Sequence, residues 1–182
     1  MKNKIIACIT LAIFLFSMIG SPTVCAIDDT YELPFGLYND ERDYWETNPG
    51  NMVNQNENSY ANTTIVDDSQ FIMTSIMLDD LGTITKVELR AKAYWTGATR
   101  DIILRPYFSG EYPGDLHVID DVPQSSGGWS NWTDITTDTN AHSFWDWTDV
   151  EDLCCLVTVG DGSSGFNLWC SQVEIRVTYT PD

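Results

Sequence analysis

The sequence has little positive charge. Its 182 residues include 9 lysines and arginines against 27 aspartates and glutamates, so the formal net charge at pH 7 is −18. A nucleic-acid partner requires lysine and arginine side chains that neutralise phosphates. This composition therefore argues against nucleic-acid binding and is typical of a soluble protein with an acidic surface.

Catalytic signatures are also scarce. The two histidines, His117 and His142, have no nucleophile or metal-ligand motif beside them, and neither G-x-S-x-G nor H-E-x-x-H occurs. Carboxylate pairs suited to glycoside hydrolysis carry no signal in a chain this acidic, because many pairs could meet by chance. We therefore expect no enzyme activity, no catalytic residue and no cofactor, and we keep a small secreted glycosidase as the third alternative.

Long apolar runs are missing except near the N-terminus. Residues 5–19 are mostly apolar, Lys2 and Lys4 precede them, and small residues follow at 24–26. The run is shorter than the ~20 residues that span a bilayer, and its flanks match a secretory signal peptide. We predict that residues 1–26 are a cleaved signal peptide. The mature chain is then secreted, extracellular or at the cell surface, and not integral to the membrane.

After this leader the chain has three cysteines, Cys154, Cys155 and Cys170. Export would permit a disulfide, whereas a bond between the adjacent residues 154 and 155 would be strained. We therefore predict a bond from Cys170 to Cys155, or from Cys170 to Cys154, which leaves one thiol over. No cysteine spacing typical of a zinc site is present.

The rest of the chain divides into a polar part and a β-rich part. Residues 27–62 are rich in asparagine, aspartate, glutamate and tyrosine, and we predict an extended N-terminal arm with a long loop. The short apolar stretch 33–37 within it could pair with the sheet edge of a neighbouring molecule, or it could fold back on its own domain. Residues 63–182 are the predicted β-sandwich domain.

Period-two alternation of apolar and polar residues dominates this second part. It is clearest at 166–180 and at 84–95, where one face carries Lys86, Glu88, Arg90 and Lys92. That charged row is either a solvated face or a patch for an acidic partner such as another copy. Shorter candidate strands lie at 71–78, 101–108, 116–119, 129–136 and 156–159. One helical turn is expected at 147–153, with Thr148 and Glu151 as its capping box. The pattern predicts an all-β protein with a single antiparallel β-sandwich or jelly-roll-like domain.

Four of the seven tryptophans lie in or near predicted loops: Trp129, Trp132, Trp145 and Trp147. Exposed aromatic rings with polar neighbours can stack on sugar rings, so these residues are a candidate carbohydrate platform. The other interpretation is that the tryptophans pack in the core or at the rim of the sandwich.

The sequence also indicates two N-glycosylation sites and one candidate calcium ligand. Sequons occur at Asn62 and Asn131, which are N-glycan acceptors in hosts that glycosylate exported proteins. Aspartates in predicted loops could supply oxygen ligands for a structural calcium ion, although none has EF-hand spacing. The candidate ligand is Asp161, which lies in a glycine-rich loop.

The C-terminal region carries a resemblance. Residues 145–153 follow the pattern W-x-W-x-D-V-x-x-L, and residues 170–179 follow C-S-Q-V-x-I-x-V-x-Y. This order resembles the C-terminal half of a largely uncharacterised β-sandwich module of exported archaeal and bacterial surface proteins and phage-like virion proteins. The resemblance implies a structural or surface-displayed role. We therefore expect a non-enzymatic extracellular module that self-associates as a filament, surface layer or virion-type subunit. Its partners are then other copies or surface proteins, and the alternative is a lectin-like module that binds glycans.

Overall fold

The computed structural model describes residues 27–43, 45–160 and 165–182. The predicted signal peptide at 1–26 and the calcium candidate Asp161 lie outside the described residues, so both stay predictions. In chain order the strands are β1 (Asp29–Pro34), β2 (Leu37–Asp43), β3 (Ala61–Thr63), β4 (Ser69–Met73), β5 (Thr83–Gly97), β6 (Ile102–Phe108), β7 (Tyr112–Pro113), β8 (His117–Ile119), β9 (Gly128–Trp129), β10 (Thr133–Asp134), β11 (Cys154–Val159) and β12 (Phe166–Thr180). A short 3-10 helix covers Pro49–Met52, and one α-helix, α1, covers Trp147–Glu151.

These strands form two antiparallel sheets, which confirms the all-β prediction. Sheet A has the strand order β1-β12-β5-β10, with β3 also paired to β12 and β9 also paired to β5. Sheet B has the order β2-β4-β11-β6-β7, with β8 also paired to β6. The buried side chains of the two sheets share one hydrophobic core, so the described residues form a β-sandwich.

Period-two alternation decides which side chains enter this core. Val87, Leu89 and Ala91 of β5 are fully buried, and the charged residues between them point away from the core. Strand β12 pairs with β5 along nearly its whole length and alternates in the same way. Burying a side chain of the size of valine or leucine stabilises the fold by about 1.5–3 kcal/mol. A slip of one residue would therefore be very costly, and the register is fixed.

The polar N-terminal segment contributes strands to both sheets of its own chain. Strand β1 pairs with β12 from Asp29 opposite Tyr179 to Pro34 opposite Glu174. Phe35 is fully buried and its backbone N–H donates to the Val173 carbonyl at 3.1 Å. Of the two alternatives open for stretch 33–37, the structure therefore has the one in which it folds back on its own domain.

Helix α1 begins at Trp147 as predicted, but its N-cap lies two residues before the predicted Thr148. Asp146 is the N-cap: its carboxylate accepts the Asp149 backbone N–H, and the Asp149 carboxylate accepts the Asp146 backbone N–H, both at 2.9 Å. This is a capping box built from two aspartates. The predicted box of Thr148 and Glu151 is wrong, because the Glu151 carboxylate instead accepts the backbone N–H of Leu78.

The predicted disulfide from Cys170 to Cys155, or to Cys154, is wrong. All three thiols are free and buried. Cys155 on β11 of sheet B and Cys170 on β12 of sheet A both point into the core, but their sulfur atoms are not bonded. Cys154 is on the other side of β11 from the core. Burial raises the pKa of Cys154 to about 11 and that of Cys170 to about 12, so these thiols stay protonated at neutral pH.

Candidate functional site

Two of the four candidate tryptophans lie in the core. Trp145 is 9% exposed and Trp147 is 4% exposed. Their indole N–H groups donate to backbone carbonyls, Trp145 to Thr136 at 3.1 Å and Trp147 to Gly82 at 2.9 Å. Each ring also makes an edge contact with another core aromatic ring. The structure therefore gives this pair a packing role.

The other two, Trp129 and Trp132, lie half-exposed on the outer face of sheet A, which is the face turned away from the core. The Arg90 guanidinium carbon is 4.1 Å from the ring centroid of each. The Arg176 guanidinium carbon is 4.4 Å from the centroid of Trp132. Stacked cations thus already occupy part of the ring surface that a sugar would need.

The same outer face carries a network of ion pairs. Glu88, which is only 4% exposed, accepts from Lys86 Nζ at 2.7 Å and from Arg176 Nε at 2.8 Å. Arg90 Nε donates to Glu174 at 2.8 Å, and Lys92 pairs with Glu57. Each of the four cations therefore has a carboxylate from its own chain. The charged row on β5 is a self-neutralised face.

Burial within this network disfavours the charged form of one carboxylate, Glu174. It raises the pKa of Glu174, while the hydrogen bond and charge of Arg90 act in the opposite direction. The Arg90 guanidinium therefore holds a carboxylate that is already displaced from water. The network joins β5 to β12 and the β9–β10 segment, so its role in the described fold is structural.

One end of the outer face of sheet A is aromatic and uncharged. Trp169 of β12 pairs with Tyr94 of β5 on one side and with Asn62 of β3 on the other. The Trp169 and Tyr94 rings are parallel within 1°, with centroids 5.7 Å apart. Tyr60 contacts Tyr94 edge-on at 5.1 Å. Sequence reasoning did not single out Tyr60, Tyr94 or Trp169.

A register shift explains why Trp169 was missed. In the C-terminal half of β12 the odd-numbered residues point inward, and extending that parity would bury Trp169. The register of β12 against β5 shifts between Cys170 and Gln172, which marks a β-bulge. Cys170 therefore enters the core and Trp169 turns outward. For Tyr94 a signal existed, because it shares its parity with the charged residues of β5.

The outer face of sheet B has the opposite character. Its outward positions on β4, β6, β8 and β11 carry one charge, Arg105, and no carboxylate: Ser69, Phe71, Met73, Ile103, Arg105, Tyr107, Val118, Cys154, Leu156 and Thr158. We call this set the apolar face. Phe71 and Tyr107 contact each other edge-on at 5.2 Å in its middle. The exposed side chains of Leu37 and Val118 lie at opposite sides of it, with 51% and 58% exposure.

The histidines form pairs and not larger clusters. His117 Nε2 lies 2.7 Å from Asp138 and His142 Nδ1 lies 3.2 Å from Asp149. Burial raises the pKa of Asp138, and the hydrogen bond from His117 opposes that shift. Among the described residues, no group of three or more histidines, cysteines or carboxylates is placed to hold a metal ion. Calcium binding through Asp161 stays a prediction, since that residue lies outside the described part.

The two sequons are in different settings. Asn131 is exposed, in the turn between β9 and β10, and its backbone N–H donates to Asp121 at 2.7 Å. Asn62 lies on β3 next to Trp169, and the hydroxyl of the sequon residue Thr64 donates to Glu46 at 2.6 Å. The Asn62 side chain lies at the outer surface of sheet A, beside Trp169. Whether either carries a glycan stays a prediction.

No protein-family model matches the sequence, and no curated protein is detectably similar to it. Within the described residues no helix is long and apolar enough to cross a membrane.

Proposed function

We propose that this protein is an exported, non-enzymatic structural module that self-associates through the apolar face of sheet B. The observation that carries the proposal is the composition of that face. Strands β4, β6 and β11 have apolar residues on both sides, a pattern typical of strands that are covered on both sides. One side covers the core, and most side chains of the other side keep part of their surface in water within the described part of the chain.

A second copy of the chain is the occupant that the charge distribution favours. The molecule has a net charge of −18, so two copies repel wherever their carboxylates face each other. The apolar face has no carboxylate at its strand positions and is the region where copies approach at least electrostatic cost. Sheet faces of this kind pack about 10 Å apart, with their side chains interdigitated. The simplest arrangement is a two-fold contact in which each copy offers the same face.

The hydrophobic effect supplies the driving force. Monomeric proteins rarely expose large contiguous apolar patches, and such patches mark interaction sites. Phe71, Leu156 and Tyr107 are half-buried in the single chain, so association removes their remaining apolar surface from water. The predicted strand donation by the N-terminal arm is not needed for this mode, because β1 already pairs within its own chain.

The test is the oligomeric state of the purified chain lacking residues 1–26, measured by light scattering and sedimentation. We expect dimers or larger assemblies at micromolar concentration. The variant Thr158→Glu/Val118→Glu places two carboxylates in one row of the apolar face and should weaken association by at least about tenfold. The matched control Thr30→Glu/Thr85→Glu adds the same charge to exposed positions of sheet A and should leave association unchanged.

Circular dichroism must show that both variants fold. A folded wild-type chain that stays monomeric at all accessible concentrations would overturn the proposal. So would equal weakening by the two double variants, because that result would indicate general charge repulsion and no specific face.

A further inference from the structure

We propose that a cleft in the loop between β10 and α1 binds an uncharged pyranose ring. The cleft has a volume of about 380 Å³, and residues 136–138 and 141–145 form most of its wall, together with the first residues of β5. This volume lies at the small end of the range of about 300–1,000 Å³ that ligand sites have, so it suits one ring better than a long chain. The cleft contains no residue of the apolar face, so the inference does not rest on self-association.

The loop that builds the cleft is anchored at both ends and folded by its own backbone. Ile135 and Trp145 are buried near its two ends. Between them the Asp138 backbone N–H donates to the Ile135 carbonyl at 3.3 Å, and the Ala141 N–H donates to the Asp138 carbonyl at 2.9 Å. Asn140 has a φ of 65°, a conformation that asparagine adopts more readily than most residues. The cleft is therefore shaped before a ligand arrives, which lowers the cost of binding.

Aromatic side chains form the apolar part of the cleft. His142 and Trp145 are in edge contact, with ring centroids 5.5 Å apart, and Phe108 contacts both rings edge-on from the core. Phe144 differs from them, because it is 93% exposed and its ring is open to solvent at the rim. One exposed aromatic side chain needs no explanation by itself. Beside a polar cleft, however, it offers a free face on which the C–H groups of a sugar ring can stack.

Hydroxyl and carboxylate groups supply hydrogen-bond partners in the same cleft. Thr137 and Ser143 are exposed, and neither hydroxyl has a partner in the described part of the chain. Asp138 also lines the cleft, and its Oδ2 is held by His117 Nε2 at 2.7 Å and by the Asp115 backbone N–H at 3.3 Å. Hydroxyls donate and accept, whereas a carboxylate is a strong acceptor. This set matches the hydroxyl groups of a sugar, which also donate and accept.

The charge of the cleft decides between neutral and acidic sugars. Asp138 is a carboxylate, and no lysine or arginine of the described residues lines the cleft. The whole molecule has a net charge of −18. A uronic acid would therefore be repelled without a cation to pair with, whereas a neutral hexose or N-acetylhexosamine would not. The ring could be a free monosaccharide or the terminal residue of a glycan, and the contacts are the same for both sources.

The first experiment is saturation-transfer NMR of the purified chain with glucose, galactose, mannose and N-acetylglucosamine. We expect at least one of the four to bind, with a dissociation constant of about 1 mM, because so small a ligand makes few contacts. The uronic acid with the same ring configuration should bind at least about tenfold more weakly. Absence of binding by all four neutral sugars would overturn the proposal, as would equal binding of the uronic acid.

Two substitutions test whether the sugar lies in the cleft. Phe144→Ala removes the exposed ring and should weaken binding at least about tenfold, and Thr137→Val removes one hydroxyl and should weaken it about fivefold. The matched controls are Met77→Ala, which is also 93% exposed, and Thr30→Val, an exposed threonine of β1; both lie outside the cleft and should bind as the wild type does. Circular dichroism establishes folding, and Phe144→Tyr, which keeps the ring, should retain binding. Binding that Phe144→Ala and Thr137→Val leave unchanged would overturn the assignment of the site.

Methyl glycosides of the bound sugar distinguish its two sources. If the ring is the terminal residue of a glycan, the methyl glycoside of one anomer should bind as the free sugar does, because the glycosidic oxygen faces solvent. If the ligand is a free monosaccharide, both anomers should bind at least about tenfold more weakly, because a bulkier group replaces a hydroxyl inside the cleft. Either result supports the cleft as a sugar site, provided that Phe144→Ala weakens the same binding.

Discussion

The outer faces of the two sheets differ in the kind of side chain that they present to solvent. Sheet A covers its outer face with side chains that neutralise and stack on one another: Glu88 with Arg176, Arg90 with Glu174, and Trp132 under two guanidinium groups. In sheet B the outward positions of β4, β6, β8 and β11 are mostly apolar and carry one charge, Arg105. The same strand geometry therefore produces one face whose charges pair within the chain and one face that is mostly apolar.

This difference predicts that substitutions on the two faces change different properties: the stability of the monomer for sheet A, and the association of copies for sheet B. Substitutions on the outer face of sheet A should destabilise the monomer, because their partners are in the same chain. Substitutions on the apolar face of sheet B should weaken association and leave the monomer nearly as stable, because part of each side chain is already in water. The comparison fails if both faces respond to substitution in the same way.

Removal of the buried carboxylate of sheet A should have the largest effect. Glu88→Ala leaves Lys86 and Arg176 without their shared partner, and we expect the free energy of unfolding to fall by about 2 kcal/mol. Both cations keep some contact with water, so the loss is smaller than for a fully buried pair. Chemical denaturation in the Thr158→Glu/Val118→Glu background, at concentrations where sedimentation shows monomers, measures it without interference from association.

Asp134→Asn is the matched control for this change. Asp134 also approaches Lys86, at 3.8 Å, but its side chain is 54% exposed. An exposed pair contributes roughly 0–1 kcal/mol, so this variant should be close to the wild type. Equal losses for the two variants would contradict the importance of burial in the network.

Loss of a stacked ring should have the second largest effect. Trp132→Ala removes the ring that Arg90 and Arg176 contact, and we expect a loss of about 1–2 kcal/mol from the cation–π contacts and buried ring surface. Trp132→Phe keeps an aromatic face and should recover about half of that loss. Thermal unfolding measures both, and an unchanged association constant is expected for each. A change in association without a change in stability would reverse the roles of the two faces.

The sequence predicts the long strands well because the alternation of apolar and polar residues along them matches the alternation of buried and exposed positions. A slip on β5 or β12 would expose Val87, Leu89 or Val177, so pattern and structure agree there. The bulge at residues 170–172 is set by local backbone geometry and hides the orientation of Trp169. The candidate strand at 129–136 is split into β9 and β10, because Ser130 turns inward and its hydroxyl accepts the Ala91 backbone N–H at 3.1 Å.

The polar segment 27–62 and the disulfide were harder to predict for a different reason. Strand β1 attaches through backbone hydrogen bonds, which composition does not encode, and only Leu33 of that strand is fully turned inward. A cysteine pairing depends on which sheet each residue joins, and sequence spacing carries no information on that choice. The all-β class follows from local periodicity, whereas the site depends on which strands become neighbours.

Salt concentration should change the strength of association by a smaller amount, and the direction of the change shows which face joins the copies. The ions screen repulsion between acidic copies, so association through the apolar face should tighten several-fold when NaCl rises from about 0.05 M to about 0.5 M. Sedimentation at both concentrations measures the change. Weaker association at high salt would instead indicate that ion pairs join the copies, and would place the contact on the charged face of sheet A.

The smallest expected effect is the pH dependence of the ion network. Burial raises the pKa of Glu174 above its ordinary value of 4.5, so the folded state binds a proton more readily than the unfolded chain. The contribution of this residue to stability is therefore fully present below the unfolded pKa and is lost as the pH rises through the folded pKa. Relative to Glu174→Gln, the wild type should gain stability as the pH falls from about 7 to about 5. Denaturation of both proteins across this range measures the difference, which should be slight because the carboxylate keeps some contact with water. A difference that is constant, or that grows with rising pH, would mean that the Arg90 pair outweighs burial, and that the outer face of sheet A is bound more tightly by its charges than its geometry indicates.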